Sequence, residues 1–166
     1  GDGYQTALVG KWHLGHTQQP QLPNAQGFDH FYGHLHTNTN YYKHTRENGH
    51  DLQQNGKSID ASGEYLTHLI AREAVRFIRE RDASRPFFLY VPFTAPHSPM
   101  QAPKATIDKY AKLPKTAYRN VYAAMVDEMD QAIGQILAVL DEEQIAEETI
   151  VVFSSDNGGS DVYGGT

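Results

Sequence analysis

Three short apolar runs in the chain have the length and composition of β-strands. They are residues 6–9 (Thr-Ala-Leu-Val), 87–91 (Phe-Phe-Leu-Tyr-Val) and 149–153 (Thr-Ile-Val-Val-Phe). Each run gives way to glycine, proline or polar residues of the kind that end a strand. We expect the second run to form a buried central strand, because it is apolar and aromatic throughout.

Two longer segments carry apolar residues at the three- and four-residue spacing of an amphipathic helix. They are residues 64–81 and 118–140, and in each the apolar positions form one face to be buried. Between the first strand and the first helix, residues 17–62 are rich in Gln, Asn, His, Gly and Tyr with little periodicity. This composition predicts a long excursion with little regular structure, of the kind that often carries function.

The order strand, excursion, helix, strand, helix, strand is typical of an α/β domain. Such a domain has a mostly parallel sheet covered by helices on both faces, and its ligands bind beyond the carboxyl ends of the strands. The predicted strands lead into Lys11-Trp12-His13, Pro96-His97 and Asp156-Asn157. We therefore expect these polar groups at one edge of the sheet, where they form a candidate active site.

Composition narrows the classes of partner. The chain has 166 residues, 39% of them hydrophobic, which is enough for a core. A net charge of −6 without any Lys/Arg-rich run argues against nucleic acid and anionic membranes, and no apolar run is long enough for a membrane span. The chain has no cysteine, so it contains no disulfide, Cys-ligated zinc or thiol nucleophile.

It begins without Met and ends in a glycine-rich stretch, residues 164–166, so we expect a piece truncated at both ends.

The polar groups at the strand ends predict a chemistry when they are taken together. Asp156 and Asn157 offer oxygen ligands of the kind that Ca²⁺ or Mg²⁺ prefers, although Asp-Asn-Gly-Gly is also a common turn. Lys11 supplies a cation for an anionic oxygen, and His13 and His97 can exchange protons. A hard cation, a lysine and two histidines at one edge would hold a tetrahedral oxyanion. The pattern predicts sulfuryl or phosphoryl transfer without choosing between them.

The other histidines concentrate in the excursion. The spacing of His34 and His36 could indicate a transition-metal site, but the second pair of ligands that zinc requires is missing. We expect these histidines to belong to a substrate-recognition loop or to a solvated surface.

Several segments resemble motifs of the sulfatase family, in the family's own order. Residues 3–15, which contain Gly-Lys-Trp-His-Leu-Gly, resemble its second signature. The further matches are residues 27–33 (Gly-Phe-Asp-His-Phe-Tyr-Gly), 86–90, 95–97, 122–127 and 155–159 (Ser-Asp-Asn-Gly-Gly). The resemblance covers nearly the whole chain and is strongest to the arylsulfatase A/B-like branch.

The resemblance implies an alkaline-phosphatase-like α/β fold, with residues 1–166 forming part of the catalytic domain. It implies a sulfuric ester hydrolase that cleaves sulfate monoesters of aryl alcohols or carbohydrates, using calcium and a hydrated formylglycine nucleophile. By position, Asp156 and Asn157 would bind calcium, and Lys11 would contact the sulfate and the nucleophile. His13 would hydrogen-bond to the nucleophile, and His97 would contact the sulfate ester near its leaving oxygen.

The chain departs from the family pattern in one important respect. Formylglycine is made from Cys or Ser in a C/S-x-P-S-R motif, and the nearest candidate, residues 84–88 (Ser-Arg-Pro-Phe-Phe), lacks the final Ser-Arg. We therefore expect the nucleophile, the other acidic metal ligands and a further lysine outside these residues, and an isolated chain that is inactive. The resemblance also implies a formylglycine-generating or anaerobic sulfatase-maturating enzyme as a partner of the parent protein. The implied location is periplasmic or secreted, or lysosomal in a eukaryote.

Three alternatives remain open at this point. The first is a phosphomonoester or phosphonate hydrolase of the same superfold. The second is a non-catalytic pseudoenzyme that binds sulfated glycans. The third is an α/β scaffold whose histidine-rich loops are merely solvated.

Overall fold

The computed structural model of the chain describes residues 3–47, 49–113 and 118–159. The strands are β1 (Gln5–Lys11), β2 (His30–His34), β3 (Thr45–Arg46), β4 (Gly49–His50), β5 (Gln53–Gln54), β6 (Lys57–Ser58) and β7 (Phe87–Tyr90). The α-helices are α1 (Leu66–Glu80), α2 (Lys104–Lys109) and α3 (Arg119–Glu142), and 3₁₀ helices span Gln19–Gln21, Pro23–Gln26 and Ala146–Glu148.

A five-stranded sheet in the order β6-β5-β2-β1-β7 forms the centre of the fold. Strand β1 lies between β2 and β7 and pairs in parallel with both, while β5 and β6 extend the sheet antiparallel. Strands β3 and β4 form a separate two-stranded ribbon. The mostly parallel sheet confirms the predicted α/β class, and its parallel strands end together on the side where the candidate site was expected.

The two faces of the sheet are covered differently. Val9 and Tyr32 point to the face on which α1 and α3 pack, and they join one core cluster with Leu66 and Met125. The opposite face carries a second cluster in which Leu8, Trp12, Phe31 and Leu35 pack against Leu22 and Phe28, in and near the 3₁₀ helices. Among the described residues the α-helices therefore cover one face, and not both as the element order predicted.

Strand β2 lies within the segment for which the sequence predicted little regular structure. Its residues are His-Phe-Tyr-Gly-His, and four of the five are buried. The prediction of little regular structure is wrong here. A five-residue strand with two histidines and a glycine shows no alternation of apolar and polar positions, because both of its faces are covered.

The strand predicted at residues 149–153 is not formed. Ile150, Val152 and Phe153 are 91%, 82% and 76% exposed, and the segment pairs with no strand in the described part of the chain. A β-branched segment becomes a strand only when a neighbour supplies hydrogen bonds and packing. The nearest candidate for that neighbour, β7, occupies the edge of the sheet, and Phe88 and Tyr90 are half exposed there. The prediction that residues 87–91 form a buried central strand is therefore also wrong for the described residues.

The helical predictions are confirmed. The segment predicted at 64–81 contains α1, and the one predicted at 118–140 matches α3, which runs on to Glu142; the two helices pack extensively on each other. Neither they nor any other described helix is long and apolar enough to cross a membrane. The glycine-rich stretch at residues 164–166 lies outside the described residues.

Candidate active site

Lys11 is the last residue of β1, and its backbone is held from two sides. Its amide donates to the carbonyl of Pro92 (2.8 Å), while the next amide, that of Trp12, donates to the carbonyl of His34 (2.9 Å). Gly10 makes this packing possible, because a Cβ at that position would overlap the Pro92 carbonyl oxygen. Lys11 therefore leaves the sheet from a rigid backbone.

His97 lies in the loop that follows β7, and the loop is anchored at several points. The His97 amide donates to the Thr94 carbonyl (2.9 Å), and the buried Tyr41 donates its hydroxyl to the His97 carbonyl (2.9 Å). Nδ1 of His97 lies 2.9 Å from the carbonyl oxygen of Ser98. Since a carbonyl only accepts hydrogen bonds, Nδ1 carries the proton, and Nε2 of the exposed ring is left for a ligand.

His34 connects β2 to the same loop. Its ring is fully buried, and Nε2 lies 2.6 Å from the hydroxyl oxygen of Thr94. Burial lowers the pKa of His34 to about 4, although the Asp51 carboxylate, 3.9 Å from Nδ1, opposes the shift. His34 is therefore neutral near pH 7, and it acts on the site through the loop that it holds.

The strand ends surround a cavity of about 380 Å³. Lys11, His97, Asp156 and Asn157 line it, and we call these four residues the anion cup. Tyr122 of α3 contributes to another part of the wall. Four of the five residues singled out from the sequence are thus brought to one cavity, although the strand expected before Asp156 is absent.

Asp156 and Asn157 present oxygen atoms suited to a hard cation. Within the described ranges the Asp156 carboxylate makes no ion pair or side-chain hydrogen bond. The Asn157 side-chain amide donates to the Gly158 carbonyl (2.7 Å), which leaves its oxygen free to bind. Calcium takes six to eight oxygen ligands. No group of three or more His, Cys, Asp or Glu residues suited to a metal exists in the described ranges, so these two residues fit as part of a ligand set.

His13 lies beside the cavity and does not form part of its lining. It is exposed, adopts a left-handed backbone with φ of 53°, and donates its amide to the Leu35 carbonyl (3.0 Å). Partial desolvation lowers the pKa of His13, and the nearby charges of Lys11 and Arg46 lower it further. His13 is therefore neutral near pH 7 and can accept a hydrogen bond.

A second cavity, of about 290 Å³, lies near the opposite end of the sheet, where Gln5 begins β1. The charged groups around it satisfy one another. Glu73 lies 2.6 Å from both His30 and Arg76. This cavity contains none of the residues predicted to be functional.

Asp51 was not singled out from the sequence, although it organises the end of β2. Its carboxylate accepts hydrogen bonds from the amides of Leu35 and His36 (both 3.1 Å) and from Nδ1 of His36 (2.8 Å). The residue is 7% exposed. A single acidic residue in a polar excursion gives no sign of such long-range contacts, so only the fold reveals it.

Comparison with known proteins identifies the family. The family model described as Sulfatase matches residues 1–165. The chain belongs to the sulfatase family. Arylsulfatase J of Mus musculus is 34% identical, with 99% of this chain and 28% of that protein covered. N-acetylgalactosamine-6-sulfatase of Homo sapiens is 32% identical, with coverage of 95% and 31%. This sulfatase chain thus spans less than a third of the length of these relatives.

Solved structures agree on the fold. The crystal structure of Ps i-CgsB in complex with k-i-k-neocarrahexaose matches with a TM-score of 0.76 and 30% identity, covering 85% of this chain and 34% of the other. The putative sulfatase yidJ from Bacteroides fragilis matches with a TM-score of 0.67 at 19% identity, covering 87% and 39%, which supports the fold alone. The expected alkaline-phosphatase-like fold, here a partial domain, is confirmed for this sulfatase chain.

Proposed function

We propose that the chain is part of the catalytic domain of a sulfuric ester hydrolase that cleaves sulfate monoesters. The observation that carries this proposal is the anion cup, in which a lysine, a histidine and two oxygen ligands for a cation share one cavity. Fixed positive charge around a tetrahedral anion stabilises the charge that moves onto its oxygens during transfer. Membership of the sulfatase family favours sulfate over phosphate as the anion.

The volume of the cavity fits a sulfate group together with part of its alcohol. At 380 Å³ it is on the order of ten times the roughly 30 Å³ that one water occupies in the liquid. A sulfate group contains only five heavy atoms. The remaining space has room for the calcium ion and for part of the alcohol from which the ester oxygen departs.

Each residue of the site receives a separate role. The Lys11 ammonium binds the non-bridging sulfate oxygens, since it supplies three donors and a permanent charge. His97 acts as a general acid in its doubly protonated form: Nδ1–H stays on the Ser98 carbonyl, and Nε2–H passes its proton to the ester oxygen as the S–O bond breaks, which leaves a neutral ring. His13 hydrogen-bonds to the nucleophile at the edge of the cup.

We assign Asp156 and Asn157 as two of the ligands of a calcium ion. In the described part of the chain neither the Asp156 carboxylate nor the Asn157 side-chain oxygen has a partner, which supports this assignment. When bound, calcium supplies positive charge against the sulfate oxygens. The other ligands belong to parts of the parent protein outside these residues, in keeping with relatives of which this chain covers 28% and 31%.

The nucleophile of the proposed reaction is a formylglycine elsewhere in the parent protein. This chain contains no cysteine and no C/S-x-P-S-R motif, so it does not supply that residue itself. The parent therefore requires a formylglycine-generating or anaerobic sulfatase-maturating enzyme. We expect these 166 residues in isolation to be inactive.

A sulfated carbohydrate is the preferred substrate class. Relatives named N-acetylgalactosamine-6-sulfatase, and the Ps i-CgsB structure in complex with k-i-k-neocarrahexaose, support a sugar as the alcohol. An aryl sulfate serves as a small test substrate. On the family resemblance, we propose that the parent works in the periplasm or outside the cell, or in the lysosome of a eukaryote.

The test is hydrolysis by the purified, matured full-length protein. The substrates are an aryl sulfate, a 6-sulfated amino sugar and the phosphate monoester that matches each of them. We expect the sulfate esters to be cleaved at least about a hundredfold faster in kcat/KM than the phosphates. Preference for the phosphates would support a phosphomonoester hydrolase instead. Tight binding of the sulfated sugar without turnover would support a pseudoenzyme.

A further inference from the structure

A second group of cationic and imidazole side chains lies next to the anion cup. His36 follows β2, His16 follows the loop after β1, and Arg46 ends the short strand β3. None of the three lines the main cavity. His16 is exposed, and the side chains of His36 and Arg46 are 31% and 28% exposed. The ribbon of β3 and β4 that carries Arg46 is joined to Asp51, the partner of His36, because the Asp51 amide donates to the His44 carbonyl (2.8 Å).

His36 is fixed in position by Asp51. Nδ1 of His36 lies 2.8 Å from Oδ2 of Asp51, and the same oxygen accepts the His36 amide at 3.1 Å. The other carboxylate oxygen accepts the Leu35 amide. Because Asp51 is buried and both of its oxygens are engaged, it orients the ring and leaves Nε2 of His36 available to a ligand, and Nε2 donates to an anion when the ring carries both protons.

His16 completes a pair of imidazoles. The rings of His16 and His36 lie 4.1 Å apart between centroids, at an interplanar angle of 40°. The two rings come from the ends of neighbouring parallel strands, β1 and β2. Their close approach places two ring edges with nitrogen donors on one small area of surface.

Backbone pairing places this area beside the anion cup. The parallel register of β1 and β2 continues past Lys11, where the His13 amide donates to the Leu35 carbonyl (3.0 Å). His36 therefore follows directly on the residue that pairs with His13. The charges of Arg46 and His36 are close enough to contribute to the lowered pKa of His13.

Two carboxylates lie near these side chains: the buried one of Asp51, which is engaged by His36 and by two backbone amides, and the exposed one of Glu47. Glu47 is 77% exposed, and its carboxylate lies 3.6 Å from Nε of Arg46. An exposed pair at that distance contributes little and is readily exchanged for another anion. The terminal nitrogens of Arg46 make no hydrogen bond or ion pair in the described ranges, so they can bind an anion in a bidentate manner.

We propose that His16, His36 and Arg46 form a subsite for a second anionic group of the substrate. That group is a carboxylate or a further sulfate on the sugar unit next to the ester that is cleaved. The inference rests on the proposed function of the anion cup and adds a specificity to it. It makes the preferred substrate a polyanionic saccharide, with Asp51 acting as a positioning residue for His36.

The test compares three disaccharides that share the same scissile sulfate. Their neighbouring unit is neutral, carries a carboxylate, or carries a second sulfate. In the full-length enzyme, Arg46→Gln and His36→Gln should lower kcat/KM for at least one dianionic disaccharide about tenfold more than for the neutral one, mainly through KM. Arg46→Lys should keep part of the preference, because it retains the charge but loses the bidentate geometry. Comparing the disaccharide that carries a carboxylate with the one that carries a second sulfate shows which group the subsite prefers.

The control is Arg79→Gln, which removes the same charge from an exposed side chain paired with Glu142 on the helical face. It should leave the ratio between the disaccharides unchanged. Equal losses on all three disaccharides in Arg46→Gln and His36→Gln would overturn the subsite. So would an unchanged ratio in both variants.

A binding measurement separates failure of this inference from failure of the proposed function. Titration calorimetry with the disulfated disaccharide needs no turnover. We expect Arg46→Gln to weaken its binding about tenfold, whether or not the protein cleaves the ester. Unchanged affinity for this disaccharide and for the carboxylated one would refute the subsite. Weaker binding of either, with an unchanged kcat for the neutral disaccharide, supports it, because a general structural defect would lower that kcat as well.

Discussion

The imidazole of His34 and the hydroxyl of Thr94 lie 2.6 Å apart in the interior, and their hydrogen bond joins β2 to the loop that carries His97. The partners are 60 positions apart in sequence. Both are almost completely inaccessible to solvent, at 0% and 3% exposure. The position of His97, a candidate site residue, thus depends on a bond made in the interior between β2 and the loop that carries it.

Replacing Thr94 by Val should remove this bond while keeping the shape of the side chain. The buried His34 nitrogen loses its partner, so we expect the free energy of unfolding to fall by about 1–3 kcal/mol. Thr39→Val is the matched control. Thr39 is equally buried, but its hydroxyl has no partner in the described part of the chain, so the change should be neutral or stabilising. Denaturant unfolding of the two variants measures the difference, and equal losses would contradict the account.

The buried His34 should make the protein less stable in acid. The unfolded chain takes up a proton near pH 6.5, whereas burial lowers the pKa of His34 to about 4 in the folded state. Stability is therefore lost as the pH falls through this window, because the unfolded state binds more protons there. The pKa values of His13 and His44 are also lowered, so these residues act in the same direction.

Thermal unfolding between pH 7 and pH 4 tests this sign. His34→Gln should show a smaller fall in Tm than the parent protein. Thr94→Val keeps the buried imidazole, so its Tm should still decrease by nearly as much between pH 7 and pH 4 as that of the parent protein. A steeper acid loss in His34→Gln would show that the ring is not the group responsible.

His97 should matter most when the leaving alcohol is a poor one. If Nε2 of His97 supplies a proton to the ester oxygen, His97→Gln should lower kcat by about 10²–10⁴-fold for a sugar sulfate. An activated nitrophenyl sulfate needs little protonation of its leaving oxygen, so the decrease in kcat of His97→Gln should be much smaller for this substrate. Steady-state rates for both substrates measure the difference. Equal losses would assign His97 to sulfate binding alone.

Calcium should stabilise the full-length protein through Asp156. A ligand that binds only the folded state raises the free energy of unfolding by about 2.7 kcal/mol at a hundred times its Kd, so Tm rises with its concentration. We expect Asp156→Asn to lose most of this rise, since it removes one charged ligand. Asp130→Asn, at an exposed position of α3, should keep it. A full calcium response in Asp156→Asn would remove Asp156 from the metal site.

Regular periodicity explains which elements could be predicted from the sequence. Strand β1 was expected because it is a short apolar run that is buried as a whole. The helices α1 and α3 were expected because one face of each is buried, which sets the spacing of their apolar residues. Strand β2 was missed because it is short, contains Gly33 and carries histidines inside the fold. The strand predicted at 149–153 is absent because composition alone does not supply a pairing partner.

The chemical groups of the candidate site could be predicted from the sequence, but the residues that hold them in position could not. Lys11, His97 and Asp156 follow apolar runs, so the rule that ligands bind at strand ends was enough to predict that they lie together, and they do line one cavity. Thr94 and Asp51 act through contacts made across 60 and 15 or more positions, and no local pattern marks them. Such residues are visible only after the chain has folded.

Turnover by a Lys11→Ala variant tests the central claim most directly. Lys11 is the cation of the anion cup, and the measurement is kcat/KM of the matured full-length protein for a sulfated sugar. Lys57→Ala, at an exposed position of β6, controls for loss of a lysine elsewhere. The account predicts a loss of at least about a hundredfold for Lys11→Ala and none for Lys57→Ala. A loss below about tenfold, roughly 1.4 kcal/mol, would contradict the account. It would indicate that the residues at the strand ends have no catalytic role.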